Sequence, residues 1–223
     1  MPYRKVPLST NETYHIFNRT IAKQTAFNNI ADYSRAIDLI NYYHFSDITF
    51  RYSYLFRLNP KNRADYLALL KKPKVKIHAF CLMPNHYHFL LEQVTDSGIT
   101  KFISNFQESY AKYFNLINER TGSLFEAMFK GVRVTSQELF THTSRYIHLN
   151  PYSSNVIKVA SQLDSYLWSS YPDYIGNTDH TFVHKDLTLG IFGSPAKLRE
   201  FTLNHADYQR SLKLLSSSHI PGM

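Results

Sequence analysis

Apolar positions along the chain switch between two periods. Thr13 to Thr20 (TYHIFNRT) is rich in aromatic and β-branched residues and predicts a first strand. From Asn28 to Phe45, the positions Ile30, Tyr33, Ile37, Ile40 and Tyr43 carry helical spacing. Asp47 to Lys74 is mixed, with Asn59-Pro60 reading as a turn and a short apolar stretch around Tyr66 to Leu70. Val75 to Met83 is β-branched and apolar, Pro84-Asn85 breaks it, and His86 to Gln93 resumes, which predicts two neighbouring strands joined by a tight turn. Ile99 to Asn118 has a second helical pattern, ended by Thr121-Gly122. Ser123 to Val134 reads as a strand, and Ser136-Gln137-Glu138 as the start of a third helix. Proline disfavours the α region in the residue before it, so Pro151 predicts that this helix stops near Leu149 or Asn150.

The order strand, helix, strand, strand, helix, strand implies an α+β fold, a ferredoxin-like split βαβ sandwich with an antiparallel sheet and helices on one face. Residues 156–223 add Trp168-Ser169-Ser170 and a helical stretch from Asp207 to Leu215, and are expected as a C-terminal helical extension packed on a catalytic domain of residues 1–155.

Composition narrows the classes of function. With 223 residues and 43% hydrophobic content the chain can bury a sizeable core. No apolar run reaches the length of a membrane span, and the N-terminus has no signal-like apolar core, so no membrane association is expected. Cys81 is the single cysteine and lies among apolar neighbours. It excludes a disulfide framework and a multi-cysteine zinc site, fits a reducing cytoplasm, and reads as a buried small side chain. A net charge of +8 favours a polyanionic partner, nucleic acid or an acidic membrane surface. The 17 Tyr and 16 Phe suit base stacking as well as core filling.

Side chains alternate along a strand, so His86 and His88 share one face while Tyr87 points to the other. Two neutral imidazoles on one face can hold a divalent ion with coordination positions left open. Two ordinary strand histidines with hydrogen-bond partners would give the same pattern.

The stretch Met83-Pro84-Asn85-His86-Tyr87-His88-Phe89-Leu90-Leu91 resembles the motif of two histidines flanking a hydrophobic residue in the HUH single-strand tyrosine transposases. The nearest resemblance is to the branch associated with repetitive extragenic palindromes (REP). Ser144-Arg145-Tyr146-Ile147-His148-Leu149-Asn150-Pro151 is similar to the family's Tyr-x-x-x-Asn-Pro segment, and Tyr166-Leu167-Trp168-Ser169-Ser170 ends like its Trp-Ser-Ser segment. The resemblance covers roughly Thr13 to Tyr171 and departs at Leu124-Phe125-Glu126, where an acidic residue replaces the family's frequent Gln.

The resemblance implies Tyr146 as nucleophile, His86, His88 and Asn150 as ligands of a divalent metal ion (Mg or Mn), and cleavage and rejoining of single-stranded or hairpin DNA through a 5′-phosphotyrosine link. It allows a monomer, or a homodimer whose tyrosine helix serves the partner's histidines. Residues four apart share a helix face, so Tyr146 and Asn150 can reach one site, although beside Pro151 the asparagine could instead cap the helix. Leu139, seven residues before Tyr146, equally allows a core aromatic at 146. Lys130, Arg133 and Arg145 are the expected phosphate contacts. Lys71, Lys72, Lys74 and Lys76 form the densest basic cluster and read as a solvated loop and strand edge. A metal-dependent nuclease using water and a non-catalytic nucleic-acid-binding module are the competing readings.

Overall fold

The computed structural model describes residues 7–218; the outer ends of the expected 1–155 and 156–223 units lie outside the described residues. Four strands, β1 (Thr13–Arg19), β2 (Val75–Met83), β3 (His86–Gln93) and β4 (Lys130–Val134), form one antiparallel sheet in the order β2-β3-β1-β4. Helices α1 (Ile30–Tyr43), α2 (Pro60–Leu69) and α3 (Gly98–Ile117) complete the predicted split βαβ order, with α2 inserted ahead of β2.

Alternation along the strands gives the sheet two apolar faces. Tyr14, Ile16, Ile77, Tyr87, Phe89 and Leu91 meet α1 and α3, the latter through Phe102, Phe106 and Tyr110. The opposite face, Ala79, Cys81, Met83 and Leu90, is covered by Phe140 and Ile147 of α4 (Gln137–Ser153). The helices of the ferredoxin-like unit therefore lie on one face, and the helix that carries Tyr146 lies on the other.

Three local expectations are corrected. Asn59-Pro60 opens a helix: the Asn59 side chain accepts the Asn62 N–H at 2.9 Å, and Pro60 sits at the helix start, where no N–H is needed. In the 123–134 stretch Phe125 makes an isolated bridge to Thr20 and the continuous ladder begins at Lys130, because Leu124 and Phe125 are consecutive and both enter the core, which a strand's alternation does not allow. Helix α4 passes through Pro151 to Ser153. The proline removes one ladder bond, to the Ile147 carbonyl, while burial of residues 147–153 holds the turn, and the Ser154 N–H reaches the Asn150 carbonyl at 3.0 Å.

The chain beyond α4 closes the sheet's open edge. Leu82 N–H bonds to the Trp168 carbonyl at 2.8 Å, Ser170 N–H to Phe80 at 3.0 Å and His184 N–H to Ile77 at 2.9 Å, so β2 offers few unpaired groups. The Trp-Ser-Ser segment is structural here: Ser170 Oγ accepts the Phe80 N–H at 2.9 Å and lies 2.9 Å from His148 Nε2. After α5 (Tyr171–Tyr174), α6 (Asp186–Phe192) and α7 (Pro195–Leu203), helix α8 (Ala206–Ser218) returns to pack on α4. No helix among the described residues is long and apolar enough to cross a membrane.

Candidate active site

Strand β3 starts directly after the Pro84-Asn85 turn, and this places His86 and His88 on the α4 side of the sheet with Tyr87 buried on the other. Their ring centres are 5.1 Å apart and the planes almost perpendicular. Tyr146 comes down from α4 to the same spot, its ring 5.7 Å from His88 and 5.8 Å from His15, both edge-on. Tyr146 is 38% exposed and Leu139 39%, so neither is a core residue. A cleft of about 590 Å³ is lined by His86, His88, Tyr146, Lys130, Glu126 and Lys213, among others.

The hydrogen bonds around the histidines decide which nitrogens face the cleft. Asn85 donates its Nδ2 to the Lys23 carbonyl at 3.1 Å, which turns its Oδ1 toward His86 Nδ1 at 2.7 Å. An amide oxygen only accepts, so His86 Nδ1 carries the proton and Nε2 keeps its lone pair. His88 Nδ1 lies 3.0 Å from His15 Nε2. With His88 as donor in that pair, its Nε2 is likewise left with a lone pair. Burial pushes His15 and His86 down to about 4 and His88 well below its ordinary value, so all three are uncharged at neutral pH. Lys213 adds to the effect on His86 and His88. Burial raises the Tyr146 phenol, opposed by a hydrogen bond from Asn150, and the residue is protonated at neutral pH.

Asn150 is fully buried inside α4, one turn after Tyr146, and is not a cap. Its Nδ2 donates to the Tyr146 carbonyl at 2.9 Å, and its Oδ1 accepts from Lys213 Nζ at 3.1 Å. Lys213 reaches in from α8 and also donates to Ser154 Oγ at 2.5 Å. Two neutral imidazoles at the cleft suit a divalent cation that keeps open positions, whereas Asn150 is not among the cleft's lining residues and its Oδ1 is held by the Lys213 ammonium. Asn150 Oδ1 has a second lone pair beyond the one used by the lysine. Among the described residues no group of three or more His, Cys, Asp or Glu could hold a metal ion.

The expected phosphate contacts separate. Lys130 lies at the cleft, its Cα paired with Phe17 on the Tyr146 face. Arg133 pairs with Tyr14, and therefore points to the α1 and α3 face, where it is tied to Glu12. It does not join the site, because three positions along a strand reverse the direction of a side chain. Arg145 lies beside Tyr146 in an adjoining groove, its guanidinium 4.3 Å from the Phe201 ring centre and 2.7 Å from His142 Nδ1. Glu126 is ion-paired to Arg19, so its negative charge at the cleft is compensated.

His15 and Lys213 escape sequence reasoning. His15 is 73 residues from His88 and reaches it only through the register of β1 on β3. Lys213 is the single lysine of the amphipathic helix α8, with no motif around it, and only the docking of α8 on α4 singles it out.

Residues 42–150 match the family described as "Transposase IS200 like", a span that contains His86, His88, Tyr146 and Asn150. Among solved structures, one described as the REP-associated tyrosine transposase bound to a REP hairpin is similar with a TM-score of 0.48 and 11% identity. The match covers 83% of this chain and 98% of that one. Among curated proteins none matches the chain.

Proposed function

We propose, from the match of residues 42–150 to the IS200-like transposase family, that this chain cuts and rejoins single-stranded DNA with Tyr146 as the nucleophile. The observation that carries the reading is the meeting of one tyrosine from α4 with two histidines from β3 in one open cleft of a single chain.

Tyr146 Oη bonds to the scissile phosphorus, and the bond from phosphorus to the 3′ oxygen of the preceding nucleotide breaks. The phenol loses its proton as the new bond forms, and the departing 3′ oxygen gains one. The products are a 5′-phosphotyrosine and a free 3′-OH. Attack of that hydroxyl, or another, on the phosphotyrosine reverses the exchange and returns the phenol, so no nucleoside triphosphate is consumed. A divalent ion, Mg or Mn, held by His86, His88 and Asn150 would supply Lewis acidity at a phosphate oxygen. The chain's own part is orientation and charge. Asn85 and His15 set the imidazole tautomers, Asn150 is fixed by its bonds to the Tyr146 carbonyl and Lys213, and the Lys130 and Lys213 ammoniums offset phosphate charge.

The partner is a DNA strand, single or presented beside a hairpin. Incubation of the protein with a labelled hairpin-flanked strand and Mn²⁺ should give a covalent protein–DNA adduct that Tyr146→Phe abolishes while strand binding persists. Cleavage by Tyr146→Phe at the wild-type rate would make Tyr146 a bystander and the enzyme a water-using nuclease.

A further inference from the structure

A second cleft of about 650 Å³ opens on the α1 and α3 side of the sheet, away from Tyr146, between α3 and the segment 46–53. At its wall stands Lys74, one of the four clustered lysines, and it does not behave as a solvated loop residue. Lys71 and Lys72 are exposed, and Lys76 pairs with Glu92 at 2.8 Å. Lys74 is only 4% exposed, lines the cleft, and has no side-chain hydrogen bond or ion pair among the described residues.

Its position is imposed by the backbone. The Lys74 N–H bonds to the His44 carbonyl at 2.8 Å, and its carbonyl accepts the Val94 and Thr95 N–H groups at 3.0 and 3.2 Å. Helix α3 begins against the same carbonyl at Gly98, where a Cβ would stand 2.3 Å from the Lys74 oxygen. A residue clamped in this way cannot swing its side chain to open solvent by a backbone shift.

The surrounding charges do not neutralise it. Arg35, Arg51, Lys101 and Lys112 also line the cleft, against one carboxylate, Glu108, which is engaged by Lys112 at 2.5 Å. Burial and the neighbouring Lys101 hold the Lys74 ammonium down to about 8, with Asp47 acting in the opposite sense. The Lys74 stem is buried while its ammonium meets solvent only through the cleft, and an anion that enters the cleft would pair with this partly desolvated charge. The same cleft carries Phe50, 38% exposed, whose ring is stacked on Tyr54 at 4.9 Å between centres and packs against Tyr66 at 5.1 Å, so that it belongs to an aromatic cluster at the lining.

We propose that this cleft binds a nucleotide unit, its phosphate on Lys74 and Lys101 and its base against Phe50. The site is separate from the Tyr146 cleft and does not depend on the cleavage chemistry proposed there. A free mononucleotide and a nucleotide within a DNA strand share this chemistry.

Calorimetric titration of the full chain tests it, in a His86→Ala/His88→Ala/Lys130→Ala background that removes both the metal ligands and a phosphate contact of the first cleft. The probes are thymidine 5′-monophosphate, inorganic phosphate and a single-stranded thymidine oligonucleotide. Thymidine monophosphate should bind saturably, and Lys74→Met and the exposed Lys101→Gln should each weaken it at least about tenfold, the loss of one charge-assisted bond. Phe50→Ala should weaken the nucleotide and leave inorganic phosphate unchanged. A parallel loss of oligonucleotide binding identifies the bound unit as part of a strand, and an effect on the mononucleotide alone identifies a free ligand. The proposal fails if nucleotide binding is absent, if neither lysine variant affects it, or if inorganic phosphate binds as tightly as the nucleotide. Lys101→Gln keeps the test decisive if Lys74→Met does not fold.

Discussion

His15 is the most informative residue to change, because it touches a proposed metal ligand without being one. Its Nε2 stands 3.0 Å from His88 Nδ1, and with both rings uncharged one nitrogen must donate and the other accept. The bond fixes the His88 ring and, with His88 as the donor, leaves its Nε2 lone pair toward the cleft. Outer partners of this kind are worth about 10–100-fold in metal affinity, or about 1.4–2.7 kcal/mol. His15→Ala should therefore raise the Mn²⁺ concentration needed for half-maximal cleavage by about that factor. Cleavage at saturating Mn²⁺ should stay close to wild type. His15→Gln, whose amide oxygen can accept from Nδ1, should recover part of the loss. The assay is adduct formation on a labelled single strand across a Mn²⁺ series, with direct Mn²⁺ titration as a second measure and thermal unfolding as a check on folding. An unshifted Mn²⁺ midpoint, or a rate lost at every Mn²⁺ concentration with an unchanged midpoint, would refute the positioning role.

Lys130→Ala should weaken DNA binding and lower the slope of log affinity against log salt by about 1, whereas Arg133→Ala, on the opposite face and paired with Glu12, should leave the slope unchanged; salt titrations of both variants decide this. Ser170→Ala removes the acceptor for the Phe80 N–H and the partner of buried His148, and should cost about 1–3 kcal/mol per orphaned group in urea unfolding; an unchanged midpoint would mean that water replaces the hydroxyl. Lys74 ties stability to pH. Its folded value of about 8 lies below that of an unfolded lysine, about 10.4, so between the two the unfolded chain holds a proton that the folded chain lacks, and stability rises with pH. The difference in unfolding free energy between wild type and Lys74→Met should therefore move in favour of wild type from pH 8 to pH 10, and a difference that is flat with pH would contradict the burial of the ammonium.

Periodicity alone determined most of the architecture. Strand and helix alternation are properties of adjacent residues, so β1, β2, β3, α1 and α3 were legible within a residue or two, and the parity of His86, Tyr87 and His88 followed directly. Local signals failed where distant packing overrode them. Pro151 did not end α4, because the buried residues 147–153 hold its last turn, and the apolar pair Leu124-Phe125 went to the core instead of into a strand. The pattern at Tyr146 and Asn150 could be read one turn apart, but whether that helix face met the histidines was set by α4 crossing the back of β2 and β3. His15, Lys213 and the burial of Lys74 were beyond any local reading. Each depends on contacts between segments far apart in sequence, whose register and docking are fixed by the whole core and not by the residues around them.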